Sequence, residues 1–214
     1  RNKIASSNNL IKLIFQLKIP QNIDVNFDMT TLLLRYSVTK VIKKDKKILE
    51  IGIGTGALIS NFIAKKFNCI TSGVDISERR VKQSQIISEY NNIETSFIQS
   101  NLFEKISDKY DYIIFNPPYV PTKIGEKLDI DKYQKSEEDR LAWDGGENGM
   151  NIIDRFLDQG INYLRNNGKI ILGVQGLYIN RAKIEKCISN KSLYICDIYK
   201  LPLLTSVVYV FSNS

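Results

Sequence analysis

Ile48-Leu49-Glu50-Ile51-Gly52-Ile53-Gly54-Thr55-Gly56 is the stretch on which the reading of the fold turns. A short apolar strand, Lys47 to Ile51, runs into three glycines at alternate positions, and a helical pattern follows from Thr55 to Phe67. Strand, glycine turn and helix make the first unit of a nucleotide-type site, because glycine lets the backbone turn tightly and approach a ligand closely. The spacing is Gly-x-Gly-x-Gly rather than the Gly-x-Gly-x-x-Gly of dinucleotide binders. Glu50, two residues before Gly52, would repel a pyrophosphate. A carboxylate there suits the positively charged end of a ligand instead.

Outward from this unit, strands and helices alternate. Cys69 to Val74, Ile93 to Ile98, Tyr110 to Phe115 and Gly168 to Val174 read as strands. Ser77 to Tyr90, with Ser77 as N-cap and Arg80 inside the capping span, reads as a helix, as do Asn151 to Arg165 and Ile179 to Ile188. This alternation implies an α/β fold with a mostly parallel, doubly wound sheet. Leu193 to Tyr199 and Val207 to Phe211 are strands with no helix between them, so they pair antiparallel and the last strand is reversed. Upstream, Asn8 to Lys18 has the spacing of an amphipathic helix that Pro20 ends. Gln21 to Met29 is expected to be a loop, and Thr30 to Ile42 a second helix capped by Thr30 or Thr31. Pro117 to Glu147 is a polar stretch of roughly 30 residues, longer than ordinary connections, which marks it as functional.

Composition narrows the function. Hydrophobic residues make up 43% of the 214 and charged residues 25%, so a packed domain is expected rather than a disordered chain. The net charge of +7 favours anionic partners, nucleic acid among them, although lysines are spread along the chain and the densest group, Lys43, Lys44, Lys46 and Lys47, reads as a solvated turn. Cys69, Cys187 and Cys196 are odd in number and lack CxxC spacing, which argues against a disulfide framework and against a zinc site. Cys69 and Cys196 lie in apolar runs and read as buried small hydrophobes; a reducing, cytoplasmic setting fits. No apolar run approaches the ~20 residues of a membrane span, and no signal peptide is visible. Histidine is absent, which excludes imidazole bases, His-held metals and Ser-His pairs; no metal is expected.

Two groups of residues carry the chemistry. Glu50, Gly52, Gly54 and Gly56 form the first wall of a cofactor site. Asp75, at the end of the second strand, can hold both hydroxyls of a ribose. After the third strand, Asn101 can read an adenine edge, with Leu102 or Ile76 against its face. An adenosine with a cationic amino-acid end is S-adenosylmethionine, whose spent form is S-adenosylhomocysteine. The second group follows the fourth strand: Asn116-Pro117-Pro118-Tyr119, beyond the carboxyl end where such sheets bind ligands and so beside the cofactor's methyl group, with Asn116 within reach of the cofactor too. An amide or aromatic amine nitrogen attacks poorly because its lone pair is delocalised. The Asn116 side-chain oxygen can accept one of its N–H groups and the Pro117 carbonyl the other, favouring the pyramidal form as charge develops. The paired prolines fix that carbonyl, and Tyr119 can stack on a planar group. Positioning does most of the work, and no strong base is needed.

The glycine loop, Asp75 and Asn116-Pro117-Pro118-Tyr119 resemble class I methyltransferases that act on amino groups. Leu141-Ala142-Trp143-Asp144-Gly145-Gly146-Glu147-Asn148-Gly149, followed by Ile152-Ile153-Asp154-Arg155, is similar to the HemK-type family, which methylates the glutamine side-chain amide of peptide-chain release factors. The resemblance spans about residues 25–212, and Ala142-Trp143 with the short N-terminus looks most like the family's eukaryotic and archaeal branch. It implies a Rossmann-like, seven-stranded class I methyltransferase sheet with its last strand antiparallel over residues 25–214, preceded by a short helical extension, 1–24. It also implies a release factor as protein substrate, met by Thr30, Pro118, Tyr119, Gly145 and Gly146, and a small zinc-binding activator subunit on the sheet edge. The family's Asp-Thr pair ahead of the first strand falls on Met29 and Thr30, so the carboxylate position is vacated and Asp28 stands one residue upstream as a substitute. Transfer to the exocyclic amine of a nucleobase in RNA or DNA, or to a small-molecule amine or amide, uses the same tetrapeptide chemistry and stands as the alternative.

Overall fold

The structure, a computed structural model, describes residues 4, 5, 8–130 and 137–213. Residues 1–3, 6 and 7 of the expected N-terminal extension and 131–136 of the expected long loop lie outside the described residues. Two short strands, β1 (Ile4–Ala5) and β2 (Asn26–Phe27), pair antiparallel. Between and after them come α1 (Asn8–Phe15) and α2 (Met29–Val41). Then follow β3 (Lys47–Ile51), α3 (Leu58–Phe67), β4 (Ile70–Asp75), α4 (Glu78–Tyr90), β5 (Thr95–Gln99) and β6 (Tyr110–Phe115). Two short helices, α5 (Thr122–Lys127) and α6 (Glu137–Leu141), stand in the long polar stretch. The chain closes with α7 (Asn151–Gly160), β7 (Leu164–Gln175), α8 (Arg181–Ile188), β8 (Leu193–Tyr199) and β9 (Ser206–Asn213).

The main sheet has seven strands in the order β5-β4-β3-β6-β7-β9-β8. The first five pair in parallel, and β9 is inserted antiparallel between β7 and β8. The reversed last strand is as expected, and its insertion leaves β8 parallel with the rest at the edge. Side chains alternate between two apolar layers, as they must in a sheet covered on both faces. Leu49, Ile51, Ile113, Phe115 and Ile170 face the layer that holds α7 and α8. Ile48, Tyr112, Ile114 and Ile171 face the layer that holds α1, α2 and α3, where Ile11 and Phe15 are buried beside Leu33 and Phe62.

Several local expectations shift. Ser77 does cap α4, accepting from the Arg80 amide. Helix α2 is capped by Asp28 rather than Thr30 or Thr31, because the Asp28 carboxylate accepts the Thr31 amide at 2.8 Å. The supposed loop 21–29 contains β2 and the first residue of α2. Helix α7 stops at Gly160, a 3-10 turn spans Ile161–Tyr163, and β7 begins at Leu164, so the residues assigned to the end of a helix belong to a strand. Helix α3 begins at Leu58, three residues later than its pattern suggests, since the glycine turn consumes Thr55 to Ala57. Cys69 is buried just before β4; Cys196 is only half-buried, because the ladder slips between Ile195 and Asp197.

The winding reverses between β3 and β6: β4 and β5 are added on one side of β3, and β6 starts the other. The loops after β3 and β6 therefore part at the carboxyl edge and open a crevice, the place where ligands bind in sheets of this kind. Phe156 of α7 braces that crevice from below, 4.8 Å from the Phe115 ring and 5.8 Å from the Phe103 ring. Phe156→Ala should cost about 3–5 kcal/mol, read as a lower urea midpoint at unchanged slope, because it empties a fully enclosed site.

Candidate active site

The crevice is a cavity of about 240 Å³ at the ends of β3, β4, β5 and β6. Its wall includes Glu50, Gly52, Gly54, Asp75, Ile76, Asn101, Leu102, Asn116 and Pro118 from the sequence-level assignment. Gly56, Thr30, Pro117, Tyr119, Gly145 and Gly146 do not line it. Asp28, offered by the sequence as a substitute carboxylate, lines it too, at the start of α2, as do residues given no role in the site: Thr31 of α2, Arg80 of α4, and Asp144 and Ile152 beyond the tetrapeptide.

Each position has a local cause. At Gly54 φ is +61° and a Cβ would meet nothing within 4 Å, so the loop turns and leaves its face open to a ligand. Gly56 lies behind it, its amide donating to the Ser84 hydroxyl, and supports the turn rather than the ligand. Thr55 and Asn26 exchange hydrogen bonds of 3.1 and 3.2 Å, which draws the start of α2 over the glycine loop. Leu102 adopts φ +50°, a left-handed conformation costly for a leucine, and this conformation puts it on the cavity wall.

Glu50 is the most perturbed carboxylate. It is 7% exposed, and burial pushes its pKa up to about 7. The Ser60 hydroxyl and the Ser60 amide, at 2.9 Å, pull it down only in part, and the Asp75 charge adds to the rise. The Asp75 oxygens accept the Gly54 amide at 2.9 Å and the Ser77 amide at 3.0 Å, with Arg80 at 3.8 Å. Asn101 donates one amide N–H to Glu104 at 2.7 Å, which leaves its oxygen and its second N–H for an adenine edge. Four carboxylates, Asp28, Glu50, Asp75 and Asp144, line the cavity against one guanidinium, Arg80. An excess of negative charge in a chain of net +7 fits a cationic ligand.

Asn116 stands at the far wall. Its amide nitrogen donates to Asp28 and to the Thr31 hydroxyl, both at 3.2 Å. Its oxygen is buried and has no hydrogen-bond partner. An unmet buried carbonyl costs about 1–3 kcal/mol, and it is the acceptor an incoming N–H needs. The resident groups therefore fit S-adenosylmethionine: Glu50 would face its ammonium end, Asp75 its ribose, and Ile76, Asn101 and Leu102 its base, with Asn116 left to the acceptor.

Tyr119 is placed otherwise than expected. It is 3% exposed, and its hydroxyl donates to Asp28 at 3.3 Å and lies 3.1 Å from the Thr30 hydroxyl. Thr30 in turn meets the Ser206 hydroxyl at 3.0 Å. Both side chains brace the tetrapeptide loop from behind, and neither lines the cavity. The glycine-rich element does a related job. The Val120 amide donates to the Trp143 carbonyl and the Gly145 amide to the Val120 carbonyl. At Gly149 φ is +80° and a Cβ would stand 2.5 Å from the Tyr119 carbonyl oxygen, so only glycine lets the two segments close. Gly145 and Gly146 thus clamp the tetrapeptide from outside the cavity. Among the described residues, no group of three or more His, Cys, Asp or Glu side chains is placed to hold a metal, and no helix is long and apolar enough to cross a membrane.

Comparison with known proteins returns methyltransferases by sequence and by fold. The model of the methyltransferase small domain matches residues 24–133. Over 143 residues the chain is 45% identical to a protein of Methanocaldococcus jannaschii provisionally named a protein N5-glutamine methyltransferase, covering 67% of this chain and 68% of that one. Over 159 residues it is 30% identical to the release factor glutamine methyltransferase of Lactococcus lactis subsp. lactis, covering 74% of this chain and 58% of the relative. The chain therefore spans little more than half the length of such bacterial relatives. A methyltransferase structure from Pyrococcus furiosus superposes with a TM-score of 0.70 at 18% identity, covering 96% of this chain and 93% of that one. A Thermus thermophilus 16S rRNA methyltransferase in complex with AdoMet and guanosine gives 0.63 at 15% identity, over 88% and 44%. At these identities the two structures speak for the fold.

Glu50 generates a pH prediction. A folded pKa of about 7 against an ordinary 4.5 means the carboxyl favours folding most below pH 4.5, and that contribution is lost as pH rises through 7. A cationic cofactor needs the ionised form, so affinity moves the opposite way. S-adenosylmethionine should bind about fivefold tighter at pH 7 than at pH 6 by calorimetry, a range below the loss of its own ammonium proton. Glu50→Gln should flatten that slope, weaken binding and raise the melting temperature at pH 8.

Proposed function

We propose that this chain, which belongs to the HemK-type family built on the methyltransferase small domain, methylates the glutamine side-chain amide of a peptide-chain release factor. By family and fold it is an S-adenosylmethionine-dependent methyltransferase. The observation that carries the choice of acceptor chemistry is the buried Asn116 oxygen without a partner, held at the cavity wall with its nitrogen occupied. A primary amide has two N–H groups and a delocalised lone pair, and an oriented acceptor is what it lacks. When bound, S-adenosylmethionine supplies an electrophilic methyl group on a sulfonium. Asn116 accepts one N–H of the acceptor and turns its nitrogen out of conjugation. The carboxylates around the cavity favour the cationic nitrogen that results, and water takes the proton once the nitrogen is cationic, which agrees with the absence of histidine.

The names of the relatives favour a protein acceptor over a nucleobase. A small zinc-binding partner belongs to the same proposal. Ile98 of the edge strand β5 is partly exposed, as are Ile86 and Tyr90 of α4, the helix that leads into it, apolar surface that a covering subunit at that edge would bury.

Labelled S-adenosylmethionine offered to a release factor and, in parallel, to a pool of RNA and DNA tests the reading. Label should appear on the release factor and vanish when the glutamine of its Gly-Gly-Gln loop is replaced. Label on nucleic acid alone would overturn the proposal. Asn116→Ala should keep cofactor binding within about twofold and lower transfer at least a hundredfold.

A further inference from the structure

Asn116 can act only if the correct end of its amide faces the acceptor, and the local chemistry decides which end that is. Two groups meet the inner edge of this amide, the Asp28 carboxylate and the Thr31 hydroxyl, each 3.2 Å from the nitrogen. The Thr31 hydroxyl has a single proton, and it is given to Asp28 at 2.8 Å. Toward Asn116, then, Thr31 shows a lone pair and Asp28 shows negative charge. Both are acceptors, so only the NH2 end of the amide can sit there. Reversing the amide would set its oxygen against a carboxylate and forfeit both hydrogen bonds. The oxygen is thereby driven to the other edge, where it is buried without a partner.

Asp28 is itself held on all sides. The Thr31 amide donates to it as the cap of α2, and the Tyr119 hydroxyl reaches its second oxygen at 3.3 Å. One carboxylate thus joins a helix start to both ends of the Asn116–Tyr119 tetrapeptide. Hydrogen bonds to an anion polarise the amide and make its oxygen a stronger acceptor.

We infer that Asp28, with Thr31 as its relay, is a positioning residue that fixes the orientation of the Asn116 amide and charges its oxygen for the acceptor N–H. The inference rests on the methyl-transfer role of Asn116 proposed above and adds to it the group that makes Asn116 competent. It also explains how this chain works with methionine at position 29: the carboxylate one residue earlier both caps α2 and reaches the amide.

The test uses Asp28→Ser, which keeps an N-capping side chain while being too short to reach Asn116. In 15N-labelled protein, the Asn116 side-chain NH2 signal, assigned by its loss in Asn116→Asp, should stand downfield and exchange slowly, and it should move upfield in Asp28→Ser while the rest of the spectrum holds. On the release factor, kcat should fall tenfold to a hundredfold with the KM for protein and the Kd for S-adenosylmethionine within about threefold. A charge exchange supplies the rescue. Asn116→Asp sets two carboxylates face to face and should be nearly inactive; Asp28→Asn combined with Asn116→Asp restores one donor facing one acceptor and should recover at least tenfold over Asn116→Asp. A mere stabilising role for Asp28 predicts no such recovery. An Asn116 signal indifferent to Asp28, or a double variant no better than Asn116→Asp, overturns the inference. Wild-type protein that leaves the release factor unlabelled overturns the substrate reading alone, since the Asn116 signal is read without any acceptor.

Discussion

Taking the Glu50 carboxylate out of water is the constraint around which the site is arranged. It sits near the end of the central strand, flanked in the sheet by Gly73 and Ile114, with the Ser60 amide and hydroxyl as its polar support. Its shift to a pKa of about 7 corresponds to a cost on the order of 3 kcal/mol for keeping it ionised. Natural folds retain such a cost where a ligand repays it. The neighbouring features follow the same logic: Asp75 turns both oxygens to backbone amides of the glycine turn and of the α4 cap, so the second carboxylate helps build the loops that surround the first. A cation in the cavity relieves the repulsion between them.

The charge of the molecule is therefore divided. Lysines dominate the exterior, with Lys43 and Lys44 exposed in the turn before β3, while carboxylates dominate the cavity. The basic exterior concerns the approach of large partners. The acidic interior selects a small cation. A reading from net charge alone points toward nucleic acid, and the sign inside the cavity shows why the sum over a whole chain is a poor guide to its site.

Much of this was legible in the sequence because it is local. The run from Glu50 to Gly56, Asp75 at a strand end and Ser77 before a helix each announce their geometry within a few residues. What stayed hidden depends on contacts between distant segments. Asp28 meets Asn116 across 88 residues, and Thr30 is bonded to Tyr119 and to Ser206, 176 residues away. Two threonines after Asp28 looked like the cap of α2, and the longer-reaching carboxylate took that place. Tyr119 has the chemistry to stack on a ligand, and only the structure shows that its hydroxyl is bonded to Asp28 and Thr30. Gly145 and Gly146 carry a recognisable pattern, and that pattern encodes closure onto the segment after Tyr119 rather than contact with the cavity.

The bond between Thr30 and Ser206 joins residues 176 positions apart and ties the tetrapeptide loop to the first residue of β9, a strand that must enter between β7 and β8. Contacts of such long range form late, because loop-closure entropy is spent before they repay it. The parallel half of the sheet, with its glycine turn and Asp75, can form ahead of that insertion. The brace behind Tyr119 cannot. The pocket and the catalyst thus rest on segments that meet over very different chain distances, and it is the catalyst that hangs on the docking of the last strand.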